Sequence, residues 1–148
     1  MTNFSEFLTE NILLLSIAFA SGALLLWPLI GQGLGVRRIG TLEATQLLNG
    51  KNAILVDLRE DDNLSEGVIP QALRMPQSKF ETMFEKMRSK FSDNQKKTKK
   101  PIILVGHSRH SSSKTENFLK QAGYDELFKL EGGTSAWAEA GLPVKKSS

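Results

Sequence analysis

Pro101-Ile-Ile-Leu-Val-Gly-His-Ser-Arg-His-Ser-Ser-Ser113 is the stretch on which the fold turns. Ile102 to Val105 is a short apolar run bounded by Pro101 and Gly106, as expected of a strand covered on both faces. Ser113-Lys-Thr-Glu116 then has capping-box spacing, so a helix opens a few residues later. Phe118, Leu119 and Ala122 form its inward face, and Gly123 suits the left-handed position that ends it. Such a strand–loop–helix unit gathers backbone N–H groups and the positive helix end around the loop, where an anion can bind.

The pattern repeats outward from this unit. Ala53-Ile-Leu-Val56 is another short apolar run, and Glu126 to Leu130 reads as the last strand. Thr41 can cap a first helix bearing Leu42, Ala44, Leu47 and Leu48, stopped by Gly50. Ser78-Lys-Phe-Glu81 is a second capping box, and its helix sets Phe80, Met83, Phe84, Met87 and Phe91 at near-helical spacing. A helix laid on a sheet needs such a stripe, so core packing is preferred over a lipid- or partner-binding face. Asn94 to Lys100 reads as a solvated loop, with anionic lipid or an acidic partner as the alternative contact. Gly132-Gly133 turns into a final short helix with Ala136, Trp137 and Ala140, closed by Gly141-Leu-Pro143. Trp137 is expected in the core, and Lys145 onward is expected to fray. Alternating strands and helices predict an α/β domain with a mainly parallel sheet and helices on both faces.

The first third of the 148 residues differs in kind. Ile12 to Ile30 contains no charge, and nineteen helical residues span roughly 28 Å, close to a bilayer core. A cleaved leader is disfavoured, because the apolar run passes well beyond Ala18-Phe-Ala20 and Glu6 and Glu10 precede it without a Lys or Arg. Trp27 suits an interfacial anchor beside Pro28 at the helix exit. Arg37 and Arg38 follow the span, so the positive-inside rule puts residues after it in the cytoplasm. The expected organisation is an outside N-terminus over 1–11, a transmembrane helix over 12–30, a linker over 31–37, a domain over 38–144 and a tail over 145–148. Net charge is +3, but residues 1–35 hold two acids and no bases, leaving 19 basic against 14 acidic residues beyond them, or +5. That excess favours an anionic leaflet, and no basic-aromatic pattern accompanies it to indicate nucleic acid.

Val56-Asp-Leu-Arg-Glu60, Glu66-Gly-Val-Ile-Pro70 and Ala72…Pro76 are similar to the first signature of the rhodanese family of sulfurtransferases. Gln121-Ala-Gly-Tyr124, Leu130-Glu-Gly-Gly133, Trp137 and Ala140-Gly-Leu-Pro143 resemble its closing stretch. The likeness covers roughly residues 38–144 and implies the rhodanese-like fold. With the single apolar span it looks like the membrane-anchored rhodanese-domain proteins of bacteria, which implies the cytoplasmic (inner) membrane. Active members carry sulfur as a persulfide on a loop cysteine, followed by two variable residues, a glycine, one more residue and often an arginine. Laid on this chain, those positions are His107, His110 and Ser112, and the chain has no cysteine. The family's glycine-histidine-isoleucine-proline also lacks its histidine, reading Gly67-Val-Ile-Pro70.

Persulfide chemistry needs a thiolate with a lowered pKa, which imidazole cannot replace. Related loop-cysteine phosphatases and arsenate reductases are excluded on the same ground. The candidate site is a binding loop of His107, Ser108, Arg109, His110, Ser111, Ser112 and Ser113, gripping an anion or an acidic side chain of a protein partner, beside the plainer reading of the same residues as polar surface. Asp57 and Arg59 are expected to support it through hydrogen bonds and an ion pair. The enzyme alternative uses His107 as phosphoryl acceptor or general base, or a thiol supplied by a partner. A His-x-x-His metal site lacks an evident third ligand, so no metal or cofactor is expected.

Overall fold

The computed structural model describes residues 3–32, 36–106 and 113–146 and divides into two compact units, Met1–Gly35 and Val36–Ser148. In the first, α1 (Phe4–Glu10) and α2 (Ile12–Gln32) break at Asn11, whose Nδ2 donates to the Phe7 carbonyl at 2.9 Å. Ser16 returns its hydroxyl to the Ile12 carbonyl at 2.7 Å, so this polar group is satisfied inside the helix. Among the described residues no single helix is long and apolar enough to cross a membrane. Phe4–Glu10 and Ile12–Trp27, bent by 78°, pass that test only as a pair, by length and composition.

The second unit is built on a five-stranded sheet. In chain order its elements are β1 (Arg37–Ile39), α3 (Thr41–Gly50), β2 (Ile54–Asp57), β3 (Leu73–Arg74), α4 (Phe80–Met87), β4 (Ser92–Asp93), β5 (Thr98–Lys99), β6 (Ile102–Val105), α5 (Ser113–Gln121), β7 (Leu127–Leu130) and α6 (Gly133–Glu139). The sheet runs β1-β7-β6-β2-β3 with every neighbour parallel, while β4 and β5 form a separate antiparallel hairpin.

Period-2 alternation assigns each strand residue to one of two cores. Ile102, Leu104 and Val56 face one side, with Phe80, Phe84, Phe91 and Leu119 of the overlying segments. Ile103, Val105 and Leu55 face the other, with Ala44 and Trp137. Helices therefore cover both faces, as apolar strands with no polar face require. Phe84 is the hub of the first core, its ring 4.8 Å from Phe91, 5.5 Å from Phe118 and 5.6 Å from Tyr124. The Phe80–Phe91 stripe is core, and so is Trp137, whose Nε1 donates to the Pro143 carbonyl at 3.2 Å.

Several local expectations are corrected. Gly40, not Thr41, is the N-cap of α3, and that helix runs through Gly50 until Asn52 adopts the left-handed conformation at φ 53°. The Ser78–Glu81 capping box is replaced by a more distant carboxylate. Ser78 donates its N–H to Glu60 Oε1 at 2.9 Å and its hydroxyl to Glu60 Oε2 at 3.0 Å. The presumed loop at 94–100 holds the turn and second strand of the β4–β5 hairpin, the turn held by Asp93 Oδ1 accepting from the Gln95 and Lys96 N–H groups. Lys145 is not frayed, because it bridges antiparallel to Val68 through backbone bonds of 2.7 and 2.8 Å.

Candidate functional site

From β2 the chain passes to β3 on one side of the sheet, and from β6 it passes to β7 on the other. Their loops diverge at the C-terminal rim, which is where an open α/β sheet forms a ligand crevice. A cavity of about 320 Å³ opens on this rim. Leu104, Val105 and Leu130 supply its apolar floor, and Gly106 and the Gly132–Ser135 segment supply its walls.

Two cations in the cavity lining are held by dedicated carboxylates. Arg59 Nε donates to Asp57 Oδ1 at 3.0 Å and Nη2 to Asp57 Oδ2 at 2.8 Å, with both side chains 1% exposed. Arg59 Nη2 also donates to the Gly67 carbonyl at 2.8 Å, and the Arg59 N–H donates to Asp57 Oδ1 at 3.0 Å. The pair thus ties the end of β2 to the Gly67 turn. Gly67 has φ +88°, and a Cβ there would lie 2.6 Å from Val144 Cγ1, so only glycine fits without displacement. Lys129 Nζ lies 2.5 Å from Glu116 Oε1, joining β7 to α5 across the wall.

The other charged lining residues, Arg38, Glu66 and Glu131, are exposed and of both signs. Thr134 is 2% exposed, and its Oγ1 has no hydrogen-bond partner among the described residues. The described lining is therefore a hydrogen-bonding surface of mixed charge on an apolar floor.

His107, Ser108, Arg109, His110, Ser111 and Ser112 lie outside the described residues, and Ser113 is exposed as the first residue of α5. Asp57 and Arg59 are brought together beneath the cavity. The sequence reading missed Arg38, Lys129, Glu116 and Thr134. One clue existed for Lys129, a charge interrupting an otherwise apolar central strand. Among the described residues no group of three His, Cys, Asp or Glu side chains is placed to hold a metal.

A family model described as the rhodanese-like domain matches residues 41–140. The chain is similar to protein YibN of Escherichia coli, 30% identical over 102 residues, covering 69% of this chain and 67% of that one. A sulfurtransferase of Allochromatium vinosum is 26% identical over 99 residues, covering 67% and 84% respectively. The polysulfide-sulfur transferase homodimer of Wolinella succinogenes shares the fold at a TM-score of 0.58 and 22% identity, over 76% of this chain and 80% of that one.

Proposed function

The chain belongs to the rhodanese-like domain family, and we propose that it works there as a binding module rather than a sulfurtransferase, tethered to the cytoplasmic face of a membrane by its apolar N-terminal segment. One chemical observation carries this reading: the chain contains no cysteine. Without a thiolate it has no group of its own able to form and release a sulfur–sulfur bond. The described scaffold leading to that position keeps β6, the buried Asp57–Arg59 pair and the Gly132-Gly133 turn. Such a scaffold is suited to recognition, and a cavity of about 320 Å³ has room for a side chain of a protein partner.

The tether is supported by composition and exposure. The 21 residues of α2 include no charge, and Leu13, Leu24 and Trp27 are 72%, 75% and 75% exposed, an apolar surface suited to lipid. Arg37 and Arg38 follow and favour a cytoplasmic domain.

The test is photo-crosslinking from position 109 of the full chain in intact membranes, paired with a sulfur-transfer assay using thiosulfate. The expected result is a discrete protein adduct that persists in His107→Ala, with no transfer above background. Turnover abolished by His107→Ala would establish the enzyme alternative. No adduct from position 109 or its neighbours would remove the loop as the partner-binding surface.

A further inference from the structure

The short helix α1, ahead of the apolar α2, is left unused by the function above, and its pattern is two-sided. Phe4, Phe7 and Leu8 follow at helical spacing on one side, whereas Glu6 and Glu10 stand four residues apart on the other. Phe4 and Phe7 are 76% and 54% exposed, and no residue of α1 is buried. An apolar stripe left open in this way marks a surface that meets something apolar.

The chain turns sharply at Asn11. Its N–H and its Nδ2 both donate to the Phe7 carbonyl, at 3.2 and 2.9 Å, which closes α1. Its own carbonyl accepts from the Leu15 N–H at 2.9 Å, which opens α2. The two helices depart from a straight line by 78°. Leu8 alone in α1 is half-buried, and Leu15, at 38%, is the least exposed large apolar residue between Ile12 and Trp27. Coverage falls on one leucine of each arm, so the apolar side of α1 lies inside the elbow and faces along α2.

Length decides what α1 can do beside a span. Its seven residues measure roughly 10 Å, of which a 78° bend leaves roughly 2 Å along α2. The 21 residues of α2 extend roughly 31 Å without it, close to the thickness of a bilayer core. We propose that α1 lies flat in the lipid interface at the N-terminal end of the span, with Phe4, Phe7 and Leu8 dipping into the upper acyl region and Glu6 and Glu10 turned to water. This rests on the tethered reading above. Residues 1–35 contain no Lys or Arg, so apolar burial alone holds the helix there and anionic lipid is not required.

Because the chain lacks cysteine, Phe4→Cys, Glu6→Cys, Leu8→Cys and Glu10→Cys each offer a single labelling position, with Ala18→Cys in α2 as the reference. Each labelled full chain is reconstituted in vesicles of phosphatidylcholine with or without phosphatidylglycerol. Quenching is compared between nitroxides on the lipid headgroup, the upper acyl chain and the lower acyl chain, and Trp137 fluorescence verifies folding. The upper-chain nitroxide is expected to quench the labels at 4 and 8 most, the headgroup nitroxide those at 6 and 10, and the lower-chain nitroxide that at 18. Phe4→Ser/Phe7→Ser, read from the label at position 8, should lower the docked-to-undocked ratio by about tenfold or more, with each ring half-buried at the interface. An unchanged ratio would overturn the proposal, as would equal depth for all four α1 labels or a requirement for phosphatidylglycerol. An equal loss in Glu6→Ser/Glu10→Ser would also overturn it, since the polar side would then be holding the helix. A label at 18 beyond reach of the lower-chain nitroxide refutes the tether itself, whereas depth at 18 with labels 4 and 8 in water refutes α1 docking alone.

Discussion

Removing the guanidinium from the buried pair should unfold the domain far more readily than removing any surface charge. In Arg59→Met the Asp57 carboxylate stays 1% exposed without its two guanidinium bonds, and the Gly67 carbonyl loses the Nη2 donor. Breaking a buried pair from one side costs about 3–5 kcal/mol, because the remaining charge is uncompensated. Domains of this size are stable by about 5–15 kcal/mol, so about a fifth or more of the total is at stake. At a urea dependence of about 2 kcal/mol per molar, a loss of 4 kcal/mol lowers the midpoint by about 2 M. The chain has two tryptophans, and Trp137 is buried in the domain core, so its fluorescence in a Trp27→Phe background reports this unit alone. Asp57→Asn added to Arg59→Met removes the stranded charge and should restore part of the loss, giving favourable coupling in the double-mutant cycle. A midpoint shift under about 0.5 M with unchanged slope would refute the reasoning, since it would give the pair no more than a surface value.

Three further outcomes are expected. Gly132→Ala should destabilise the domain by about 1–3 kcal/mol, seen as a lower melting temperature. Its φ is +73° and its Cβ would lie 2.5 Å from Ala136 Cβ. Glu60→Ala should cost about 1–2 kcal/mol and speed hydrogen exchange at Ser78 and the start of α4, because one carboxylate accepts both the Ser78 N–H and its hydroxyl. No change in exchange there would show that water replaces the carboxylate at no cost. His107→Cys alone should give little thiosulfate-dependent sulfur transfer, since His110 and Ser112 still stand at the family's glycine and arginine positions. Turnover typical of the family would show that the loop had lost only its nucleophile.

The parts of the fold legible in the sequence are those written in apolar pattern. Ile102–Val105 forms a strand, the Phe80–Phe91 stripe is core, and Trp137 is buried, because burial of large apolar groups dominates and leaves a periodic trace. Elements with little apolar content were not legible. β1 consists of two exposed arginines and one isoleucine, and the β4–β5 hairpin is polar throughout, so neither carries a period to detect. Capping was misassigned at Ser78, because a carboxylate eighteen residues upstream in the chain reaches its N–H when the Glu60 loop folds over it.

By itself the sequence determined the family and the absence of a thiol, both of which depend on residue identity. Only the tertiary structure decided which charges pair with which. Lys129 meets Glu116 because β7 lies beside β6 and α5 packs over it, and Arg59 is held between Asp57 and Gly67. Lys90 and Lys100 border a groove beside β2 whose lining, among the described residues, includes no carboxylate. The reason is register: parallel pairing brings together side chains that lie far apart in sequence, and a shift of one residue would send each strand side chain to the opposite face.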